Sequence, residues 1–162
     1  MNSFILRSAL TIIQAIFIIF TYQNNVHSEQ FNHLKFVTEE AAAGAAQFLS
    51  LDKYGEGYVV FNKSEGIKAV EEIIKSNLKL DDNLAPTDKT YWVSNKVKYD
   101  VVFFDDDNST FPKVYDYTLP DGKQKEFIIN GPSVIVSISP GKPKYTLFHA
   151  DENYRVAMYT LE

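Results

Sequence analysis

FILRSALTIIQAIFIIFTY, residues 4–22, is the stretch that decides how the rest of the chain is read. Its one charge is Arg7, and no acidic residue appears before Glu29. Beyond it, Phe31, Leu34, Val37, Ala41, Ala45 and Phe48 recur at the spacing of one helical face. No proline falls in the first fifty residues and no glycine before Gly44. The pattern predicts one long helix, apolar all round at first and amphipathic afterwards, with a small polar domain at its end.

As a membrane anchor, Phe4–Tyr22 reaches roughly 28 Å at about 1.5 Å per residue, against a hydrocarbon core of about 30 Å. On this reading Phe4, Ile12, Ile13, Phe17 and Phe20 lie among lipid chains. Arg7 snorkels to the cytoplasmic interface and Tyr22 sits at the outer one. The positive charge on the N-terminal side predicts a single pass, with the N-terminus cytoplasmic and the C-terminal domain extracellular. As a signal peptide, Met1–Arg7 is a short positive region and Ser8–Phe20 an apolar one. Val26-His27-Ser28 then offers a cleavage site before Glu29 and a secreted product. Helical register that runs on past Ser28 favours the anchor. The expected organisation is residues 1–28 as anchor or signal and residues 29–162 as an extracellular head that includes a stalk helix over 29–49.

The net charge is −5, and Arg7 is the one charged side chain in residues 1–28, so the head carries −6. A nucleic-acid partner needs a basic face to neutralise phosphates and is not expected. Cysteine is absent, which removes disulfides, thiolate metal sites and cysteine nucleophiles.

Inside the head, Ala41-Ala42-Ala43-Gly44-Ala45-Ala46 lets another backbone come close. Ala41, Ala42, Ala45 and Ala46 are therefore read as a helix-packing interface, against the head's own sheet or against a neighbouring subunit. Asp52–Gly57 reads as a turn and Gly57–Phe61 as a strand. Asn62 or Ser64 starts a second helix, and Asn62 with Glu65 makes a capping-box pattern. Ile67, Val70, Ile73, Ile74 and Leu78 form its apolar face, and Lys68–Glu72 and Glu71–Lys75 are i, i+4 pairs on its wet face.

From Tyr91 onward the pattern is β. Val97, Tyr99, Val101 and Phe103 alternate with Lys96, Lys98, Asp100 and Val102. Pro120-Asp121-Gly122 has the spacing of a type I hairpin turn with a bulge. Val134, Val136 and Ile138 alternate with Ser133, Ile135 and Ser137. Pro140-Gly141 reads as a turn, Tyr145, Leu147 and His149 follow in a strand, and Tyr154–Leu161 closes the sheet. The fold class is α+β, two helices against a mostly antiparallel sheet.

Little in the chain points to catalysis. His27, His33 and His149 lack metal-ligand spacing, and no Gly-x-Ser-x-Gly elbow is present. Asp105-Asp106-Asp107-Asn108-Ser109 lacks the central glycine and distal glutamate of an EF-hand and reads as a turn, with weak calcium binding as the lesser alternative. No cofactor, metal or catalytic residue is expected.

The layout of a short N-terminal tail, a hydrophobic helix continuing through Phe31–Ala46, and a second helix opening at Asn62-Lys-Ser-Glu-Gly resembles pilin-like proteins. It looks closest to minor-pilin-like membrane proteins of tight-adherence (Tad) pilus systems in Gram-positive bacteria. The resemblance covers roughly the first eighty residues. It implies a non-enzymatic accessory of a surface pilus or secretion apparatus. Its partners would be the membrane, other pilin-like or pilus-assembly proteins, and further copies of itself through the N-terminal helix. Prepilin processing needs a glycine just before the hydrophobic segment, which this chain lacks, so an uncleaved accessory is expected rather than a major subunit.

Overall fold

The computed structural model describes residues 2–93, 96–144 and 152–161. Helix α1 (Asn2–Ala46) runs unbroken for 45 residues. Contacts divide the chain into two units, residues 1–33 and 34–162. The first is the front of α1. The second, the head, holds the last turns of α1 and everything after it.

In the head, α1 buries Leu34, Val37, Thr38, Ala41, Ala42, Ala45 and Ala46. Thr38 satisfies its hydroxyl by donating to the Leu34 carbonyl one turn back, at 2.7 Å. The helix stops at Ala46, three residues short of the expected end. Its last carbonyls, Gly44 and Ala45, accept from Gln47 and Phe48 in a tightened final turn.

Asp52–Gly57, read as a turn, is for the most part helical. Leu51–Gly55 is a one-and-a-half-turn helix, α2, with no buried residue. Gly57–Phe61 is not a ladder strand. It meets residues 48–50 through one bridge, Leu49↔Phe61, with bonds from Ser50 N–H to the Val60 carbonyl and from Asn62 N–H to the Phe48 carbonyl, both 2.8 Å. The amides of Val59 and Phe61 find carboxylates instead of a neighbouring strand: Asp106 Oδ2 at 2.7 Å and Asp105 Oδ2 at 3.4 Å. Side-chain acceptors there take the amides that a neighbouring strand would otherwise pair.

Helix α3 (Lys63–Leu78) begins where the capping pattern predicts. Asn62 Oδ1 accepts from the Glu65 N–H at 3.3 Å. Val70, Ile74 and Leu78 are buried, while Ile67 is partly exposed. The charge pairs form at i, i+3 rather than i, i+4: Lys68 with Glu65 and Lys75 with Glu72, both at 2.7 Å. Glu71 accepts from the Tyr99 hydroxyl instead.

The strands are β1 (Trp92–Val93), β2 (Lys98–Phe104), β3 (Lys113–Thr118), β4 (Gln124–Ile129), β5 (Ser133–Pro143) and β6 (Asn153–Thr160). All pairings among them are antiparallel. β5 is the centre, pairing with β2 from Lys98↔Ser139 to Phe104↔Ser133, with β6, and with β1 near its end. Pro140-Gly141 does not turn the chain. It sits in β5 at a register shift, with Gly141 at φ 89° absorbing the irregularity.

β3 and β4 make a separate hairpin. Its turn is as the residues predict: the Leu119 carbonyl accepts from Gly122 at 2.8 Å, and Gly122 takes the left-handed φ of 83°. The hairpin lies on one face of the sheet, where Tyr117, Phe127 and Ile129 pack with Phe104 and Ile135. On the other face Phe103, the partner of Val134, meets Gly66 of α3. With both faces covered, Ser133–Ile138 are buried without exception. The alternation read from the sequence thus distinguishes two packed faces, not a wet and a dry one. The α+β class, with a long apolar N-terminal helix, a second helix and small antiparallel sheets, is a pilin-like architecture. Tyr145, Leu147 and His149 lie outside the described residues.

Candidate functional site

Along residues 3–22, α1 leaves its apolar side chains exposed. Phe4 is 75% exposed, Phe17 69% and Tyr22 68%, with Ile12 and Ile13 similar and Phe20 somewhat more covered. None of the most apolar window is buried. A helix greasy on every side has no wet face to turn to water, which marks it for lipid or for other helices. Two of its hydroxyls are satisfied from within the helix. Thr11 and Thr21 donate to the Arg7 and Phe17 carbonyls at 3.0 and 2.9 Å, so neither hydroxyl is left unmatched in an apolar medium. By length and apolarity the segment fits a membrane span or a signal sequence.

The second predicted site lies elsewhere. Ala41, Ala42, Ala45 and Ala46 have no solvent exposure. They are inside the head, and beside them α1 approaches α3 closely at Ala45 and Gly44. A Cβ on Gly66 would stand 3.1 Å from the Ala45 carbonyl oxygen, and one on Gly44 would stand 2.6 Å from Ile73 Cδ1. A neighbouring subunit has no access to these alanines while the head is folded.

The acidic run also has structural work. Asp105 is fully buried and pairs with Lys63 at 3.4 Å. Its backbone N–H donates to Asn108 Oδ1, and its carbonyl accepts from the Asn108 and Ser109 amides. Among the described residues no group of three His, Asp or Glu side chains is placed to hold a metal ion. His27 stacks on Phe31 with ring centres 5.9 Å apart, and His149 lies outside the described residues.

Pattern reading missed one polar cluster, between the sheet and the hairpin. The Tyr117 hydroxyl donates to Asp100 Oδ2 at 3.0 Å. Burial is the main cause that pushes this phenol up to about 12. A hydrogen bond from Ser137 opposes the shift and the Asp100 carboxylate adds to it. On the opposite face of β2, burial and then the hydrogen bond to Glu71 push Tyr99 up to about 12. A cleft of about 260 Å³ opens beside Asp100, Tyr117, Ser137 and Ser139. The signal in the sequence was the serines at alternate positions of an otherwise apolar strand, Ser137 and Ser139. Period alone cannot say that they face a tyrosine two strands away.

Comparison of the chain with known protein families, with curated proteins and with solved structures gives no match. The fold and the placement of its residues therefore carry the functional reading.

Proposed function

We propose that the protein is a non-enzymatic, membrane-anchored, pilin-like accessory of a surface pilus of the tight-adherence kind, or of a related secretion apparatus, acting through helix packing and protein–protein contacts. The observation that carries this reading is α1. One uninterrupted helix is exposed and apolar over residues 4–22 and supplies core side chains to the head from Leu34 onward. A signal sequence released after Ser28 has no need to share a helix with the domain that follows it, and Ser28 lies in the interior of α1. Residues 4–22 hold the protein in the membrane with the head outside, and they are the surface through which copies or other pilin-like proteins pack. The buried alanines serve the head, which leaves lateral association to the apolar front of α1.

The test is the intact mass of the protein in the membrane and medium fractions of a Gram-positive host. A membrane-bound chain that keeps residues 4–22, with the head digested by external protease, supports the proposal. A soluble product starting at Glu29 makes the protein a secreted binding module instead.

A further inference from the structure

The two edges of β2 differ. Toward β5 its backbone is fully used. The parity of that pairing follows from β5. The Pro132 carbonyl accepts from Leu161, which continues the β6 pairing, so even-numbered residues of β5 point to β6 and odd-numbered ones to β2. Lys98, Asp100, Val102 and Phe104 therefore bond with β5, and Tyr99, Val101 and Phe103 turn their N–H and C=O groups outward. Both ends of that outer edge are closed: the Val97 N–H donates to the Leu84 carbonyl at 2.9 Å and Asn108 Nδ2 donates to the Phe103 carbonyl at 3.0 Å. Between them, Tyr99 and Val101 have no backbone partner among the described residues, and β2 ends the sheet on that side.

A cleft of about 970 Å³ follows this open stretch, lined continuously by residues 96–101 with Ile67 of α3 beside them. Its charge departs from the rest of the chain. Lys96, Lys98 and Lys142 line it against Asp100 and Glu152, in a protein of net charge −5. Asp100 is already engaged by the Tyr117 hydroxyl. The two faces of the edge also differ. Tyr99 and Val101 present carbon toward α3, and Lys98 presents an amine on the hairpin side.

We infer that this edge of β2 is a docking site for an extended peptide segment that alternates acidic and apolar residues and adds to the sheet as a further strand. Main-chain bonds to Tyr99 and Val101 hold the peptide. Its apolar side chains lie toward Ile67, and its carboxylates meet Lys98, as cross-strand pairs do. The site belongs to the head and is independent of how residues 4–22 are used.

The test uses the full chain in detergent micelles and two fluorescein-labelled, end-capped octapeptides, one of alternating Glu and Val and one of alternating Lys and Val, read by fluorescence anisotropy. The Glu–Val peptide should bind at least tenfold more tightly than the Lys–Val peptide, with affinity falling as salt is raised. Val101→Pro removes an outward N–H and blocks an edge. It should weaken binding at least tenfold, with circular dichroism unchanged. Lys98→Glu keeps the test decisive should the proline variant misfold, because it should reverse the preference between the two peptides. Amide exchange offers a check without ligand: Tyr99 and Val101 should exchange fast, Asp100 and Val102 slowly. Equal binding of both peptides, no binding, an unchanged preference in Lys98→Glu, or protected amides at Tyr99 and Val101 would each overturn the proposal. Self-association abolished by Val101→Pro without peptide binding would assign the edge to a second copy of the chain and overturn it as well.

Discussion

Asp105 Oδ2 lies 3.4 Å from Lys63 Nζ and 3.4 Å from the Phe61 backbone nitrogen, in a residue with no exposure to solvent. One carboxylate thus fastens the segment after α2 and the start of α3 to the end of β2. Its other oxygen, Oδ1, has no hydrogen-bond partner among the described residues. Replacing Asp105 with Ala strips the acceptor from a buried amide, at a cost of about 2–4 kcal/mol. Lys63→Ala should cost only about 1 kcal/mol, because the lysine is half-exposed and its attraction is screened. Urea unfolding of both variants checks the order; equal losses would mean that the ion pair, not the amide, dominates.

The two glycines at the α1–α3 contact should respond differently to alanine. At Gly66 a Cβ meets backbone, the Ala45 carbonyl, together with the Phe103 ring at 3.0 Å. The helices must part, so Gly66→Ala is expected to lose about 1–3 kcal/mol despite better helix propensity. At Gly44 the obstacle is the tip of Ile73, which can rotate. The propensity gain of about 1 kcal/mol there should nearly offset the repacking. Thermal melts of the two variants decide it.

Leu substitutions at Ala42 and Ala46 place two large side chains at positions with no solvent exposure. The double variant should melt well below the parent, by about 1–3 kcal/mol per site. Unchanged melting with loss of lateral association would return these alanines to a subunit interface.

The tyrosines set an alkaline limit. Tyr99 and Tyr117 are raised from 10.0 to about 12 in the fold. Above pH 10 the unfolded chain releases these protons first, so unfolding gains free energy with rising pH. Their contribution is complete below pH 10 and is lost as the pH climbs through about 12. Tyr117→Phe should flatten that decline, as followed by denaturant midpoints from pH 9 to 12 alongside phenolate absorbance.

Removing residues 1–28 should leave a soluble, folded head, since the buried side chains of α1 begin at Leu34. Removing residues 1–46 should abolish folding. Leu34→Ala alone is expected to cost about 2–5 kcal/mol. A truncation at 28 that aggregates or unfolds would show that the front of α1 stabilises the head.

The sequence by itself determined what depends on neighbours along the chain. A long apolar run without proline or glycine, continued by apolar residues at helical spacing through Ala45, reads as one helix, so α1 was legible nearly to its last turn. Asn62 with Glu65, and Leu119-Pro120-Asp121-Gly122, carry their geometry in three or four residues: the turn formed as read, and of the capping box the Asn62 N-cap formed while the Asn62 N–H went to the Phe48 carbonyl instead of Glu65. Only the tertiary structure decided what depends on who lies opposite. Val134, Ile135, Val136 and Ser137 look like a half-wet strand until a hairpin covers the second face. Val59 and Phe61 look like a strand until Asp105 and Asp106, more than forty residues away, take their amides. The small residues of Ala41–Ala46 specify close packing, but only the fold buried them in the head and brought Gly66 and Ile73 of α3 against Ala45 and Gly44. Local propensities are worth tenths of a kcal/mol per residue, and a buried contact across the chain outweighs several of them.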